Sequence, residues 1–332
     1  MAADLGSSGP VSAALLTVVV CTHDRAELLR RCLDCLDAAR RPAEGVQVLV
    51  VANHCTDGTH AMLEARVALD GQAGGAQAAG AAARLPLRWL AEPAKGKSHA
   101  LNRALAEVRT PLLAFVDDDQ RVDAGFLVAM CAAARSQPGA ALFCGRLLPD
   151  WDGTEPPWVH ETGPYRIYPL PVPTFDLGLA PRWLTADVAL PSGGNAVVRT
   201  DWAARIGPFS TRLGPVGHDL GGSEDSEWFL RALQLGARLY YEPSAVQYHH
   251  IDGQRLRLRF LLRLTYKRTA STVGLPGNAG SQGGSPAWAW RKLAGYALKV
   301  LTAWRGDRRR FYLMRCAAAL GEIAGHRPPP RR

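Results

Sequence analysis

Apolar and polar positions follow two rhythms over the first 150 residues. LLTVVVC (15–21), VQVLVVAN (46–53) and LLAFV (112–116) are apolar at nearly every position, the pattern of strands buried on both faces. Between them, 27–39 and 97–108 carry apolar residues at helical spacing, and Thr56-Asp57-Gly58-Thr59 offers caps for a helix running to about residue 69. LPLRWLAE adds a short strand, 124–135 a helix that Asp123 could cap, and ALFCGRLL a further strand. Alternation of this kind predicts βαβ units: an α/β fold whose mostly parallel sheet has helices on both faces. Ligands of such sheets bind beyond the carboxyl ends of the strands.

The rhythm then changes. Residues 149–191 are rich in Pro, Trp and Gly without a period, as in a functional surface loop or insertion. PSGGNAVVR follows, then a helix over 224–235 ended by Gly236, and the strand-like ARLYYEP and AVQYHH. Three amphipathic basic segments, 255–272, 288–304 and 308–323, close the chain, the first two joined by the linker GLPGNAGSQGGSP. GQAGGAQAAGAAA (71–83) is a low-complexity surface excursion. Residues 1–12 form a disordered lead-in, 13–253 the body and 254–332 a basic helical tail.

Charge sharpens that division. The net charge is +9, yet residues 254–332 hold 17 Lys and Arg against 2 Asp and Glu, while the rest hold 22 against 28. A mildly acidic body carries a tail suited to an anionic surface. The tail lacks the aromatic and glycine patterns of nucleic-acid modules, so the expected surface is a membrane and no nucleic acid is expected. The seven cysteines form no paired framework, and Cys32-x-x-Cys35 falls within a helix, which favours reduced thiols, a cytoplasmic setting and no zinc. The chain has no apolar run of membrane-spanning length, and its lead-in has no signal-peptide pattern.

Three clusters carry candidate chemistry. FVDDDQRV ends a buried strand in Asp117, Asp118 and Asp119; a solvated turn with helix-capping carboxylates explains this, and so does a site for Mg²⁺ or Mn²⁺ completed by substrate phosphates. GGSEDSEWF places Glu224, Asp225 and Glu227 at a helix start, where they complement the helix dipole or supply a general base. YHH (248–250) ends a strand, and its histidines are structural or metal ligands.

In this order the segments resemble a family-2 glycosyltransferase of the GT-A fold over about residues 15–250. TVVVCTHDR is similar to that family's opening nucleotide-binding strand and turn, VVANHCTDGT to its second strand and turn, and KGKSHALNRAL to its third helix. FVDDDQRV is similar to its Asp-x-Asp motif, and GGNAVVRTDWAARIGPF to its acceptor-side segment. SEDSEWFLRALQLGARLYYEPSAVQYHH, with its Glu-Asp motif, Tyr-Glu-Pro turn and terminal histidine, is the most specific match.

The resemblance implies a nucleotide-sugar-binding half, 13–125, and an acceptor-binding and catalytic half, 126–253. It places Thr22, Asp24, Arg25, Asn53, Asp57, Lys97 and Asp118 around a nucleoside-diphosphate sugar, with Asp117 on the ribose. Asp119 and His249 become ligands of Mn²⁺ or Mg²⁺, with His250 the alternative ligand. Asp225 becomes the general base of an inverting displacement, and Gly193, Gly194, Asn195, Glu224 and Trp151 line the acceptor side. The family often has two aspartates where this chain reads Ala52-Asn53, so recognition of the base falls to Asn53. The Gln-x-x-Arg-Trp motif of processive synthases is missing after Asp225, which implies transfer of single sugars to a sugar or lipid-linked acceptor in cell-envelope or exopolysaccharide synthesis, at the inner face of the cytoplasmic membrane. A nucleotidyltransferase is the first rival, although the turn CTHDRAE lacks its glycine-rich phosphate loop. A catalytically silent protein that binds membrane surfaces is the second.

Overall fold

The computed structural model describes residues 14–73, 84–168, 170, 172–185, 190–212, 224–273 and 287–326. The lead-in, most of the 71–83 excursion, parts of the 149–191 insertion, residues 221–223 before the Glu-Asp pair and the 274–286 linker lie outside the described residues. The chain divides into two compact units. The first comprises Met1–Asp150 and Pro173–His250; the second, Trp151–Val172 and Ile251–Arg332.

Within the first unit the elements run β1 (Leu16–Thr22), α1 (Ala26–Ala38), β2 (Val46–Asn53), α2 (Thr59–Ala73), β3 (Leu87–Glu92), α3 (Lys97–Glu107), β4 (Leu112–Asp117) and β5 (Gln120–Val122). They continue with α4 (Phe126–Ser136), β6 (Leu142–Asp150), β7 (Arg182–Leu184), β8 (Ala196–Arg199), α5 (Thr200–Ile206), α6 (Glu224–Gln234) and β9 (Leu239–His250). The sheet order is β3-β2-β1-β4-β8-β6-β9-β5, with β7 pairing β9. The four strands on the β3 side are parallel, as the βαβ rhythm predicts. Past β4 the sheet is mixed: β8 runs antiparallel to β4 and β6, while β9 is parallel to β6.

Strand side chains alternate between two cores. Leu16, Val18 and Val20 of β1 join Leu29, Leu33 and Leu36 of α1 and Phe126 and Met130 of α4 on one face. Val19, Leu49, Val51 and Phe115 face Leu101 of α3 and Trp228 and Phe229 of α6 on the other. Each such side chain, fully buried, contributes about 1.5–3 kcal/mol. This two-sided cover explains why the strands read as unbroken apolar runs.

Two elements differ from the sequence pattern. ARLYYEP and AVQYHH form one strand, β9, and the expected Tyr-Glu-Pro turn is a bulge within it: the register on β6 jumps from Cys144↔Tyr241 to Arg146↔Val246. Gly145 permits the jump, since a Cβ there would fall 2.0 Å from the Ala245 carbonyl oxygen. β5 has no pattern of its own; three residues become a strand by pairing antiparallel with the end of β9.

The second unit contains α7 (Leu258–Val273), α8 (Ala287–Thr302) and α9 (Gly306–Gly325), so the basic helical segment expected at this end of the chain is present. The 151–172 segment groups with these helices. Trp158, Val159 and Val172 share a small core with Leu256 and Leu261. Gly321 and Gly325 let α9 press against α7, where a Cβ would fall 2.5 Å from the Tyr266 carbonyl oxygen and 2.7 Å from that of Ala270. Lys292 of α8 holds Glu322 of α9 at 2.7 Å, and Arg310 of α9 holds Glu161 at 2.6 Å.

Candidate active site

At the carboxyl ends of β1 and β4, Cys21, Lys97, Asp117, Gly193, Glu224 and Asp225 converge on one cavity floored by Phe115, Phe209 and Trp228. Lys97 is the first residue of α3, where the helix dipole disfavours a cation. Its Nζ lies 2.7 Å from Asp117 Oδ1. Burial opposes the ammonium charge, but Asp117, with Glu224 and Asp225 behind it, raises the Lys97 pKa and keeps it protonated. Burial alone would raise the Asp117 carboxyl; Lys97 more than offsets this and holds it below the usual range.

The other side of Asp117 is packed against backbone. A Cβ on Gly194 would lie 2.3 Å from Asp117 Oδ2, so this approach requires glycine. The Gly193 amide donates to Asp225 Oδ2 at 2.7 Å and the Ser226 amide to Oδ1 at 2.8 Å. Both oxygens keep acceptor capacity. Asp225 is carried on the first turn of α6, which is anchored by Trp228 Nε1 on the Gly207 carbonyl and by Arg231 on those of Ile206 and Pro208. Glu224 is buried, its Oε2 has no hydrogen-bond partner among the described residues, and burial raises its pKa.

Asp119 and His249 meet because β5 pairs with β9, which sets Gln120 opposite His249. The His250 amide donates to the Asp119 carbonyl oxygen at 2.8 Å. His249 Nδ1 lies 2.7 Å from the His250 carbonyl oxygen, which can only accept, so Nδ1 carries the hydrogen. In the neutral ring Nε2 then turns a lone pair toward Asp119 Oδ1, 3.4 Å away. An imidazole nitrogen and a carboxylate oxygen face each other across a gap that a divalent cation would satisfy, and this donor pair fits Mn²⁺ or Mg²⁺. Alternation along β9 separates the histidines: His249 is on the buried side, whereas His250 is half-exposed.

Asp118 points away from the cavity and is buried. Thr22 Oγ1 donates to it at 2.7 Å and Arg25 at 3.0 Å; the same Arg25 nitrogen reaches Asp119 Oδ2 at 3.1 Å. Burial, with the Asp119 charge added, pushes Asp118 up to about 6.

Four of the expected site residues, Asn53, Asn195, Asp24 and Asp57, hydrogen-bond to backbone groups of the chain. Asn53, expected to read the base, is buried and spends its amide on the carbonyls of Glu92 and Ala94, while Oδ1 accepts from the Gly96 amide. It braces the loop that delivers Lys97. Asn195, expected on the acceptor side, has no exposed surface; it accepts from the Gly145 amide and donates to the Gly145 carbonyl. Asp24 and Asp57 bind backbone: Asp24 accepts from the amides of Thr56 and Asp57, and Asp57 from those of Ala26 and Thr59. Cys55 lies with them in a cluster whose possible ligand atoms are all within 4.8 Å of one another. Trp151 belongs to the second unit, its ring edge-on to His160.

The sequence reading missed two glutamines. Gln120 Oε1 accepts from the Asp117 amide and from Gln247 Nε2, which also donates to the Gly194 carbonyl. Gln247 has no exposed surface. A polar residue at an inward position of β9 is the signal that would have found it.

The family described as Glycosyl transferase family 2 matches residues 17–207, more than half of the chain. The succinoglycan biosynthesis protein ExoM of Rhizobium meliloti (strain 1021) is 24% identical over 264 residues, covering 78% of this chain and 74% of the relative. Among solved structures, the mannosyltransferase PcManGT from Pyrobaculum calidifontis, in complex with GDP-Man and Mn²⁺, aligns with a TM-score of 0.53 at 17% identity, over 95% of this chain and 91% of that one. S. aureus TarS 1-349 in complex with UDP aligns at 0.50 and 16%, over 92% and 90%. These structural likenesses establish a GT-A type fold.

Proposed function

The chain belongs to glycosyl transferase family 2, and from that membership we propose that it moves one sugar from a nucleoside-diphosphate donor to an acceptor hydroxyl, with inversion at the anomeric carbon. The observation that carries this reading is the placement of Asp225 across one cavity from the Lys97–Asp117 pair, at the strand ends. Asp225 accepts the proton of the acceptor hydroxyl as that oxygen attacks the anomeric carbon and the bond to the diphosphate breaks. The Gly193 amide fixes the carboxylate for this task. Asp117 and Lys97 orient the donor's ribose, and Glu224 lines the acceptor side. Asp119 and His249 would hold Mn²⁺ or Mg²⁺, which supplies Lewis-acid stabilisation of the diphosphate when bound.

GDP-Man and UDP in the two similar structures support a sugar nucleotide as donor. The likeness to a protein of succinoglycan biosynthesis supports glycan assembly in the cell envelope or outside it, with a sugar or lipid-linked acceptor. Attachment to an anionic membrane through the basic tail, at its cytoplasmic face, completes the reading. No described helix is long and apolar enough to cross a membrane.

The test is to incubate the protein with GDP-, UDP- and TDP-sugars, Mn²⁺ and candidate acceptors. Free nucleoside diphosphate and a single added sugar of inverted anomeric configuration are expected. Release of pyrophosphate would identify a nucleotidyltransferase instead, and repeated addition would overturn single transfer.

A further inference from the structure

Helix α8 turns an apolar stripe to solvent. Trp290, Ala294, Ala297 and Leu301 recur at spacings of four and three and so stand above one another on one face, and exposed Trp304 follows two residues past the end of the helix. Trp290 is 47% exposed, Leu301 83% and Trp304 91%, with Leu298 beside them at 62%. The opposite side is occupied: Ala289 is buried, and Lys292 is tied to Glu322 of α9. Exposed Arg291 borders the stripe on the helix, and Arg305 follows Trp304 in the chain.

So continuous an apolar face is rare on a water-soluble surface and marks a contact with something apolar. The charge around it indicates which contact. Residues 254–332 carry 17 cationic side chains against 2 anionic ones, so a partner whose apolar interior lies under a negative surface is complementary. At 16 residues α8 is about 24 Å long, too short to span a bilayer but long enough to lie along one. Indoles near both ends of the stripe suit the headgroup level, where an apolar ring and a polar N–H are both accommodated.

Resting on the membrane attachment proposed above, we infer that α8 is the inserting element. It lies parallel to an anionic bilayer with Trp290, Leu298, Leu301 and Trp304 at the boundary between headgroups and acyl chains. The structure also narrows the choice among tail residues: Leu261 has no exposed surface and fills the second unit's core, and Phe260 is half-buried, so neither offers a free apolar face.

The experiment uses the full chain and sedimentation with vesicles of phosphatidylcholine, with and without phosphatidylglycerol, at low and high salt. Wild type is expected to bind the anionic vesicles, less tightly at high salt. Leu301→Ser combined with Trp304→Ser should weaken that binding about tenfold or more, because both side chains enter the interface. Leu179→Ser, an equally exposed apolar control in the first unit, should bind as wild type does. Circular dichroism checks that both variants keep the fold. If wild type binds and the double variant binds equally well, α8 is not the inserting element while membrane attachment stands. If wild type binds no anionic vesicle, both ideas fall. Concentration-dependent dimers abolished by the double variant, without vesicle binding, would identify the stripe as a self-association surface and overturn the inference.

Discussion

The turns after β1 and β2 and the turn after β4 are all rich in carboxylates, yet the three do different work. Asp24 and Asp57 bind amides: each accepts from two backbone N–H groups, which knits the first two turns together. Asp117 and Asp119 face cationic or ligand-like side chains, namely Lys97, Arg25 and His249. Amides passed between the first two turns fasten them to each other, whereas side-chain partners hold Asp117 and Asp119 at the end of β4. Residue type and strand-end position are the same in both regions. The partner makes the difference.

The largest expected effect is at the cavity. Asp225→Asn should lower turnover about a hundredfold or more, the scale of a lost general base, while donor affinity stays near wild type. Steady-state kinetics with separate donor-binding measurements decide it; lost affinity with full turnover at saturation would make Asp225 a binding residue.

Next is the metal pair. EDTA should abolish transfer and Mn²⁺ or Mg²⁺ restore it. Mn²⁺ should also raise the melting temperature of wild type, as a ligand of the native state does, but not that of Asp119→Ala. Full activity in chelator, or an equal Mn²⁺ shift in both proteins, would remove Asp119 from the site.

On the amide-bound side, Asp57→Ala should cost about 0.5–2 kcal/mol of stability, the usual range for a lost cap, and leave turnover of the folded enzyme within a few-fold. Denaturant titration beside kinetics measures both. A collapse in donor affinity with unchanged stability would return Asp57 to the donor site and erase the contrast.

The smallest effect concerns Glu224. Burial raises its pKa in the folded state, so that state binds a proton more readily than the unfolded chain does. Stability therefore falls as pH rises through the window between the unfolded value and the raised folded one, and the ionised side chain is a cost at neutral pH. Glu224→Gln should melt higher than wild type at pH 7.5, and the difference should shrink toward pH 4. A pH-independent difference would exclude the buried charge as its cause.

Much of the first unit was legible because β1, β2 and β4 are covered on both faces and leave an unmistakable apolar run, and because α3 and α6 begin next to Lys97 and Asp225. What could not be read depended on contacts distant in sequence. β5 is a strand only because the end of β9 lies beside it. Asn53 and Asn195 were expected as ligands from the family resemblance of their segments; their amides satisfy peptide groups about 40 to 50 residues away. Gly145 gave no sign that it faces a bulge. The different burial of His249 and His250, by contrast, follows from period-two alternation once β9 is known to be continuous.

The fit of Gly194 against Asp117 also bears on how such an enzyme can change over time. With the carboxylate oxygen where a Cβ would sit and Gln120 close behind, residue 194 cannot acquire a side chain unless Asp117 moves first. Positions 117, 120 and 194 are thus sterically coupled, so that a change at one calls for an adjustment at the others.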